Sequence, residues 1–534
     1  MPAPHSVGAL TDRLVAPGAT VNTAAGAVRG YQRGGVHCFK GLAYAGAPTA
    51  EHRFRRAPDL AAWTGVRNAY NYGPVCPRWT APADLSNNEW AFLLQRGAES
   101  AAQEDCLRIN VWTSSTRPEH PRPVMLWLHG QGFMSGSSQD FLATDGENLA
   151  RTQEVVVMSL NHRVGPLGLL HLGELSGAEY ADSGNAGMID IIDALRWVRT
   201  NAEAFGGDPD NVTLFGQSGG GFKISVLLAM PEARGLFHKA IIQSGARLRV
   251  HTSASATVLT ERTLQRLAIN SRTGLSALQC VPLNRLLQAA QDASMEMAPA
   301  TPDDTGYRNA PGFYWMPVAG VPSLPTQPVD PDAPEQSRHV PLLVGTTLNE
   351  FAPCMTFPGA ETLTWAELPA KLAPQLGDRV TAAIAAVRAI EPSACPVDVW
   401  SVLGGRRFRQ AAVALCDARV RQQQAAPVFN YLFRWRTAMF EGRPGAFHCA
   451  CLPFVFNNTD LCDHATGGDS RAQRLATRMS RAWAQFARTG HPGHDDLPAW
   501  PAFTPCERAV MVFDDHCQVA RNLDTELLAL LPGN

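Results

Sequence analysis

Val212-Thr213-Leu214-Phe215-Gly216-Gln217-Ser218-Gly219-Gly220-Gly221 is the stretch on which the fold turns. An apolar, β-branched run stops at Gly-Gln-Ser-Gly-Gly, and the apolar segment Ile224 to Met230 follows at once. That order predicts a strand, a turn too tight for side chains on its flanks, and a helix. Glycines at 216 and 220 let the backbone pass close to itself, so the turn holds the Ser218 hydroxyl exposed and strained at its tip. The helix start adds unpaired N–H groups, and that of Gly219 can face an oxyanion forming on an attacked carbonyl. In a chain with 45 glycines the pentapeptide alone is a weak signal. Its strand-turn-helix setting and single occurrence are what mark Ser218 as a nucleophile.

The rest of the chain bounds what such a serine can serve. The 534 residues, 45% of them hydrophobic, suffice for a large core, and no linker or repeat divides them. A net charge of −2 argues against a nucleic-acid partner. No stretch reaches the roughly 18 uncharged apolar residues of a membrane span. Met1 to Thr20 carries Pro2, Pro4, Asp12 and Arg13 but no apolar signal core. The expectation is a cytoplasmic protein, or a secreted or periplasmic one from which a signal peptide has been removed. Twelve scattered cysteines mildly favour a reducing compartment.

Outward from the serine, short alternating runs over about 21–60 predict N-terminal strands. Pro123 to Leu128 is a buried strand ending in His129-Gly130-Gln131-Gly132-Phe133, and Glu154 to Leu160 is another, leading into Asn161-His162-Arg163. Gly184-Asn185-Ala186-Gly187 opens a helix with a broad apolar face (Ile189, Ile192, Leu195, Trp197, Val198) that ends near Phe205. His238 to Gly245 and Val340 to Gly345 continue the strands; Phe429 to Trp435 and Ala509 to Phe513 complete them, with a long helix over Ser470 to Gly490. Strands alternating with helices imply an α/β fold with a large, mostly parallel sheet, helices on both faces and a site at the carboxyl ends of the strands. Helical and loop insertions are expected at about 250–338 and 360–425.

From Phe39-Lys40-Gly41-Leu42 through Gln103 to Trp112 and on to Met511-Val512-Phe513-Asp514, the chain resembles the type-B carboxylesterases, the α/β-hydrolase family that includes the cholinesterases. The resemblance implies a single catalytic domain over 1–534 with insertions over the active site, needing no metal or other cofactor. It also implies the partners of the serine, which needs a base, and the base an acid. Gly345-Thr346-Thr347-Leu348-Asn349-Glu350 resembles the family's Gly-Thr-Asn-Lys-Asp-Glu, making Glu350 the acid. Gly445-Ala446-Phe447-His448 before Leu452-Pro453-Phe454-Val455-Phe456 resembles its Gly-x-x-His-x-x-Glu-Leu-Pro-Phe-Val-Phe, making His448 the base. The other downstream histidines, His464, His491, His494 and His516, sit in polar or Pro/Gly-rich loops. Cys449, Cys451, Cys462 and His464 lack zinc-site spacing, and the apolar run at 452–456 fits a strand or core segment.

His129-Gly130-Gln131-Gly132 stands where the family has His-Gly-Gly-Gly, so the resemblance assigns the oxyanion hole to the N–H groups of Gln131, Gly132 and Gly219. If residue 131 needs a positive φ, its glutamine costs on the order of 1–2 kcal/mol. Gln217 and Cys451 replace family glutamates, removing negative charge and disfavouring a choline cation. Arg78, Arg96, Arg247 and Arg249 allow a carboxylate-bearing substrate; Phe133, Trp79 and Trp90 are further candidates for the pocket wall. Cys76 and Cys106 match the family's first disulfide, worth about 3–4 kcal/mol in the chain-entropy account, with a pair of reduced thiols as the alternative.

The expected activity is hydrolysis of neutral or carboxylated small-molecule esters through an acyl-enzyme, by a monomer or homodimer. A fumonisin-type mycotoxin polyester esterase, an amidase or a carbamate hydrolase would use the same parts. A non-catalytic cholinesterase-like binding module is the reading from another class.

Overall fold

The uninterrupted apolar runs become the central strands of one large sheet. In the computed structural model the described residues are 15–79, 89–94, 97, 100–270, 274–297, 315–355, 357 and 359–531. The strands are β1 Val15–Thr23, β2 Gly26–Arg33, β3 Val36–Ala43, β4 Val66–Asn68, β5 Arg108–Thr113, β6 Arg122–Leu128, β7 Val156–Leu160 and β8 Gly207–Gln217. There follow β9 Lys239–Gln243, β10 His251–Thr252, β11 Val318–Ala319, β12 Leu342–Thr347, β13 Val428–Phe433, β14 Val510–Phe513 and β15 Gln518–Ala520. Thirteen of them form a sheet ordered β1-β2-β3-β5-β7-β6-β8-β9-β12-β13-β14-β15, with β4 paired beside β2. From β7 to β14 every neighbouring pair is parallel; the outer pairs along this order are antiparallel, and β4 joins β2 in parallel. This is an α/β-hydrolase architecture.

Parallel strands covered on both faces need no polar alternation, which is why β7, β12 and β13 are buried at every residue. The two-residue period still sorts their side chains between two cores. Val124, Leu126 and Leu128 of β6 enter one, and Met125 and Trp127 the other. Helix Ala186–Asn201 closes the first with Ile191, Ile192, Leu195 and Val198. Helix Ser470–Thr489 closes the second with Leu475, Met479, Trp483 and Phe486. The Asp469 carboxylate caps that helix, accepting the Ala472 N–H at 2.9 Å, and Gly490 ends it with a left-handed φ of 79°. Trp483 is fully buried between sheet and helix, and its truncation to alanine is worth about 3–5 kcal/mol.

A third, smaller core belongs to the helices over Leu368–Leu376, Val380–Ile390 and Pro396–Gly404, where Leu372, Val387 and Leu403 pack with Leu527 and Leu531 of the C-terminal segment. The next helix, Arg406–Val420, lies against β12 and β13.

Four expectations change. The first strands span residues 15–43; between Ala43 and β4 there is a 3₁₀ turn at Ala50–His52, where Pro48 and Pro58 deny ladder donors. The apolar run after His448 is a core segment, as one of its two readings has it, folded as a short helix, Leu452–Val455, and not as a strand, with Pro453 in its first turn. Helix Ala186–Asn201 gives way to a separate 3₁₀ turn, Ala202–Phe205. Finally, all twelve cysteines are free thiols. Cys76 and Cys106 are not joined by a bond, although their thiols lie within hydrogen-bonding reach of each other. The Val164 N–H donates to Cys76 Sγ at 3.4 Å, and a hydrogen bond to Cys76 together with burial holds the Cys106 pKa well above a normal thiol's.

Candidate active site

β8 ends at Gln217 and helix Gly219–Leu227 begins one residue later, leaving Ser218 at the bend with φ 54° and ψ −121°. A non-glycine residue held there costs of order 1–3 kcal/mol, and the surroundings enforce it. The Ser218 N–H donates to Gln243 O on β9 at 2.8 Å, and its carbonyl accepts the Phe222 N–H at 3.0 Å. A Cβ on Gly220 would stand 2.0 Å from Leu128 O, and one on Gly219 would stand 2.3 Å from the nitrogen of Gly132. Side chains are therefore excluded at both positions. The second contact also brings the backbones of Gly132 and Gly219 together beside the serine.

Gln131 and Gly132 both take positive φ, 64° and 63°. The glutamine thus occupies a backbone position suited to glycine, at about 1–2 kcal/mol. Its carboxamide is anchored: Nε2 donates to Asp140 Oδ2 at 2.7 Å and Oε1 accepts from Ser135 Oγ at 3.0 Å. Asp140 is itself held by the N–H and hydroxyl of Ser137, at 2.8 and 2.7 Å, and faces Arg78 at 3.4 Å.

Glu350 and His448 come from two separate loops that meet. Glu350 leaves the end of β12, buried; its Oε1 accepts the Thr347 N–H at 2.8 Å, and His448 Nδ1 donates to its Oε2 at 2.5 Å. Asn349 ties the loops together: its N–H donates to Ala446 O at 3.1 Å, and its side-chain oxygen accepts the Ala446 N–H at 2.9 Å. Its amide nitrogen reaches Ser401 Oγ at 3.0 Å, so helix Pro396–Gly404 is fastened to the same point.

With Nδ1–H committed to Glu350, the His448 Nε2 carries the lone pair. It accepts from Gln217 Nε2 at 3.1 Å, the residue just before Ser218, and Cys449 Sγ donates to Gln217 Oε1 at 3.2 Å. Among the described residues Ser218 Oγ makes no hydrogen bond. In this arrangement a swing of the Gln217 amide would free Nε2 for the serine next to it. Catalytic bonds that are absent without substrate commonly form in its complex. Burial raises the pKa of Cys449 well above the usual thiol value and that of Cys451 to about 12, so neither adds charge here.

Family relationships decide what this geometry belongs to. The model of the carboxylesterase family matches residues 17–369 and 398–531. The para-nitrobenzyl esterase of Bacillus subtilis (strain 168) is 35% identical over 512 residues, covering 95% of this chain and 97% of its own. The chain belongs to the carboxylesterase family. The phenmedipham hydrolase of Pseudarthrobacter oxydans is 33% identical over 511 residues, covering 94% and 96%. Among solved structures, an esterase from Clostridium hathewayi that can hydrolyse aliphatic aromatic polyesters aligns with a TM-score of 0.80 at 34% identity, covering 96% of this chain and 97% of that one. This carboxylesterase is thus an enzyme, a serine hydrolase of esters. Among the described residues no helix is long and apolar enough to cross a membrane.

The other candidates are scattered. Phe133 is buried, its ring 6.1 Å from that of Phe222. Arg247 is buried, with Nε donating to Arg249 O at 2.7 Å. Trp79 is exposed and its indole N–H reaches Gln288 Oε1 at 3.3 Å, on helix Leu283–Met297. The side chain of Trp90, and Arg96, lie outside the described residues. Cys449, Cys451, Cys462 and His464 do not gather their ligand atoms around one point among the described residues.

Two features escape a reading by motif. Phe408, inside helix Arg406–Val420, lies against the His448 ring at 5.0 Å between centroids. Behind the oxyanion strand, Lys223 is fully buried and donates to His129 O at 2.7 Å, while the His129 ring stacks on that of His162 at 4.9 Å. Burial drives the Lys223 pKa well down; burial, and then Lys223, do the same to both imidazoles. The strings His129-Gly130 and Asn161-His162-Arg163 were the available signal, but nothing in their spacing gives the third member.

Proposed function

We propose that this enzyme, acting as one catalytic unit over 1–534, hydrolyses small-molecule esters through an acyl-serine. Ser218 Oγ attacks the carbonyl carbon as His448 Nε2 takes its proton, and Glu350 holds the imidazole in the Nδ1–H tautomer and stabilises the imidazolium. The N–H groups of Gln131, Gly132 and Gly219 receive the tetrahedral oxyanion. Collapse expels the alcohol, protonated by His448. A water molecule, deprotonated by the same imidazole, then releases the acid.

The observation that carries this reading is the 2.5 Å contact from Glu350 to His448 Nδ1, with the opposite ring nitrogen turned to the residue beside Ser218. Gln217 and Cys451 put no anion beside the reacting centre, which disfavours choline esters. Adjacent unbonded thiols at 76 and 106 suit a cytoplasmic enzyme, and a monomer or homodimer is proposed.

The test is a serine-directed organophosphate with the protein and its Ser218→Ala variant. One adduct on the wild type, none on the variant, and loss of p-nitrophenyl acetate turnover are expected. An adduct retained by the variant would move the nucleophile elsewhere. Rates on matched esters, amides, carbamates and a fumonisin-type polyester then rank the leaving groups.

A further inference from the structure

The proposed oxyanion hole draws its donors from two separate stretches of chain. Gln131 and Gly132 lie in the loop after β6, and Gly219 opens the helix Gly219–Leu227. Their N–H groups can converge on one oxygen only if loop and helix are held in register. Backbone contact sets how closely the two approach. A Cβ on Gly220 would meet Leu128 O at 2.0 Å, and one on Gly219 would meet the nitrogen of Gly132 at 2.3 Å. Such contacts stop the loop from moving inward, but they exert no pull against its moving away.

Lys223 supplies that pull. It stands about one helical turn after Gly219, on the same helix and the same side. Its side chain is fully buried, and Nζ donates to His129 O at 2.7 Å while lying 3.4 Å from Nδ1 of the ring. That carbonyl belongs to the last residue before Gly130-Gln131-Gly132. The amine and the Gly219 N–H therefore leave one helix and meet one loop. The His129 ring has no freedom to absorb a shift. It stacks on His162 at 4.9 Å and 19°, its Nδ1–H donates to Gly130 O at 3.1 Å, and a Cβ on Gly136 would meet Nδ1 at 2.4 Å. Movement of the His129 carbonyl thus passes to Gly130 and to the two donors beyond it. Lys223 takes no part in the proton transfers proposed above.

Resting on the proposed catalytic roles, we infer that Lys223 is a positioning residue for the oxyanion hole: its bond to His129 O holds the N–H groups of Gln131 and Gly132 in register with that of Gly219. The hole matters most when the substrate oxygen carries its full charge, so Lys223 acts on kcat and hardly on KM. No bond is made or broken at the amine; the reaction remains ester hydrolysis.

The experiment compares the full chain with Lys223→Met and Lys223→Gln on p-nitrophenyl acetate. Active sites are counted by titration with a serine-directed organophosphate, so a partly unfolded sample does not pass for a slow enzyme. A trifluoromethyl ketone provides the second readout. Ser218 Oγ adds to its carbonyl carbon, the π pair moves to the oxygen in the hole, and the serine proton goes to His448 Nε2. Lys223→Met, which keeps the length but has no donor, should lower kcat per active site by about threefold to tenfold, with KM within about twofold. Its affinity for the ketone should fall by the same factor. Lys223→Gln, which keeps an N–H donor, should recover part of both losses. Should Lys223→Met not fold, Lys223→Ala carries the same expectation. An unchanged kcat per active site in a folded variant without the donor overturns the positioning role, as does a fall in kcat with ketone affinity unchanged. Hydrolysis persisting in Ser218→Ala would instead overturn the catalytic assignment, so the two failures are distinguishable.

Discussion

The two halves of the site are built from different material. The nucleophile half, Gln131, Gly132, Ser218 and Gly219, is shaped by backbone, with positive φ at three of these residues and glycines pressed against neighbouring main chain. The acid–base half is shaped by side chains from loops 98 residues apart, held by one short contact and the Asn349 strap. Backbone shape is fixed by the sheet itself and tolerates changes of side chain. Side-chain placement across loops depends on each fastening, so the second half should be the more fragile under mutation.

The largest effect tests whether the halves work as one unit. Ser218→Ala and His448→Ala should each lower kcat by roughly 10⁶-fold, and the double variant by no more than either alone. Additive losses in single-turnover rates would mean that the halves act independently. Next comes the fastening. Asn349→Ala leaves Glu350 and His448 chemically intact but removes the acceptor for Ala446 N–H. A displacement of about 1 Å in the imidazole is worth up to about 10²-fold, so kcat should fall by between about tenfold and a hundredfold with KM little changed. An unchanged kcat would show that the strap is dispensable and erase the contrast.

How much of this is legible in the sequence follows the same division. The strand before Ser218 and the glycines around it are local, since burial on both faces demands a continuous apolar run and close backbone approach demands glycine. The α/β-hydrolase architecture follows from the alternation of such runs with helices. Glu350 and His448 are candidates only through family resemblance, because no local pattern sets the proposed general base apart from the four other histidines that follow the acid. Phe408 reads as one more apolar residue of a helix; its contact with His448 is made by how helix Arg406–Val420 packs against a distant loop. Strand order, with β6 lying between β7 and β8, is a matter of pairing across the chain that no periodicity encodes. Matching positions likewise give the nearness of Cys76 and Cys106, whose thiols are hydrogen-bonded to each other and unjoined, the reduced alternative of that reading.

The backbone half rests on Lys223, whose burial lowers its pKa far below the unfolded value of about 10.4. Between the folded and unfolded values the unfolded chain binds the extra proton, so the native state gains stability as pH rises through that window, by at most about 1.4 kcal/mol per pH unit. Lys223→Met leaves the His129 carbonyl unpaired, a cost of about 1–3 kcal/mol, and should flatten the rise of the unfolding midpoint with pH below the unfolded-lysine value. A midpoint slope identical to the wild type's would mean that the amine stays charged in the fold.

The smallest effect is the sharpest probe of the backbone argument. Gln131→Gly restores a residue suited to a φ of 64° and removes a side chain anchored to Asp140. Relief of about 1–2 kcal/mol is opposed by loss of a charge-assisted bond of about 1.5–3 kcal/mol, and the greater chain entropy of glycine weakens the fold further. Net stability should therefore fall by no more than about 3 kcal/mol. The proposed donor to the oxyanion is the peptide N–H, which glycine keeps, so kcat for p-nitrophenyl acetate should stay within about twofold. A loss of kcat near that of an oxyanion-hole deletion, on the order of 10²-fold, would show that the Gln131 carboxamide and its Asp140 anchor hold the N–H in place. The nucleophile half would then depend on side-chain fastening as much as the acid–base half does.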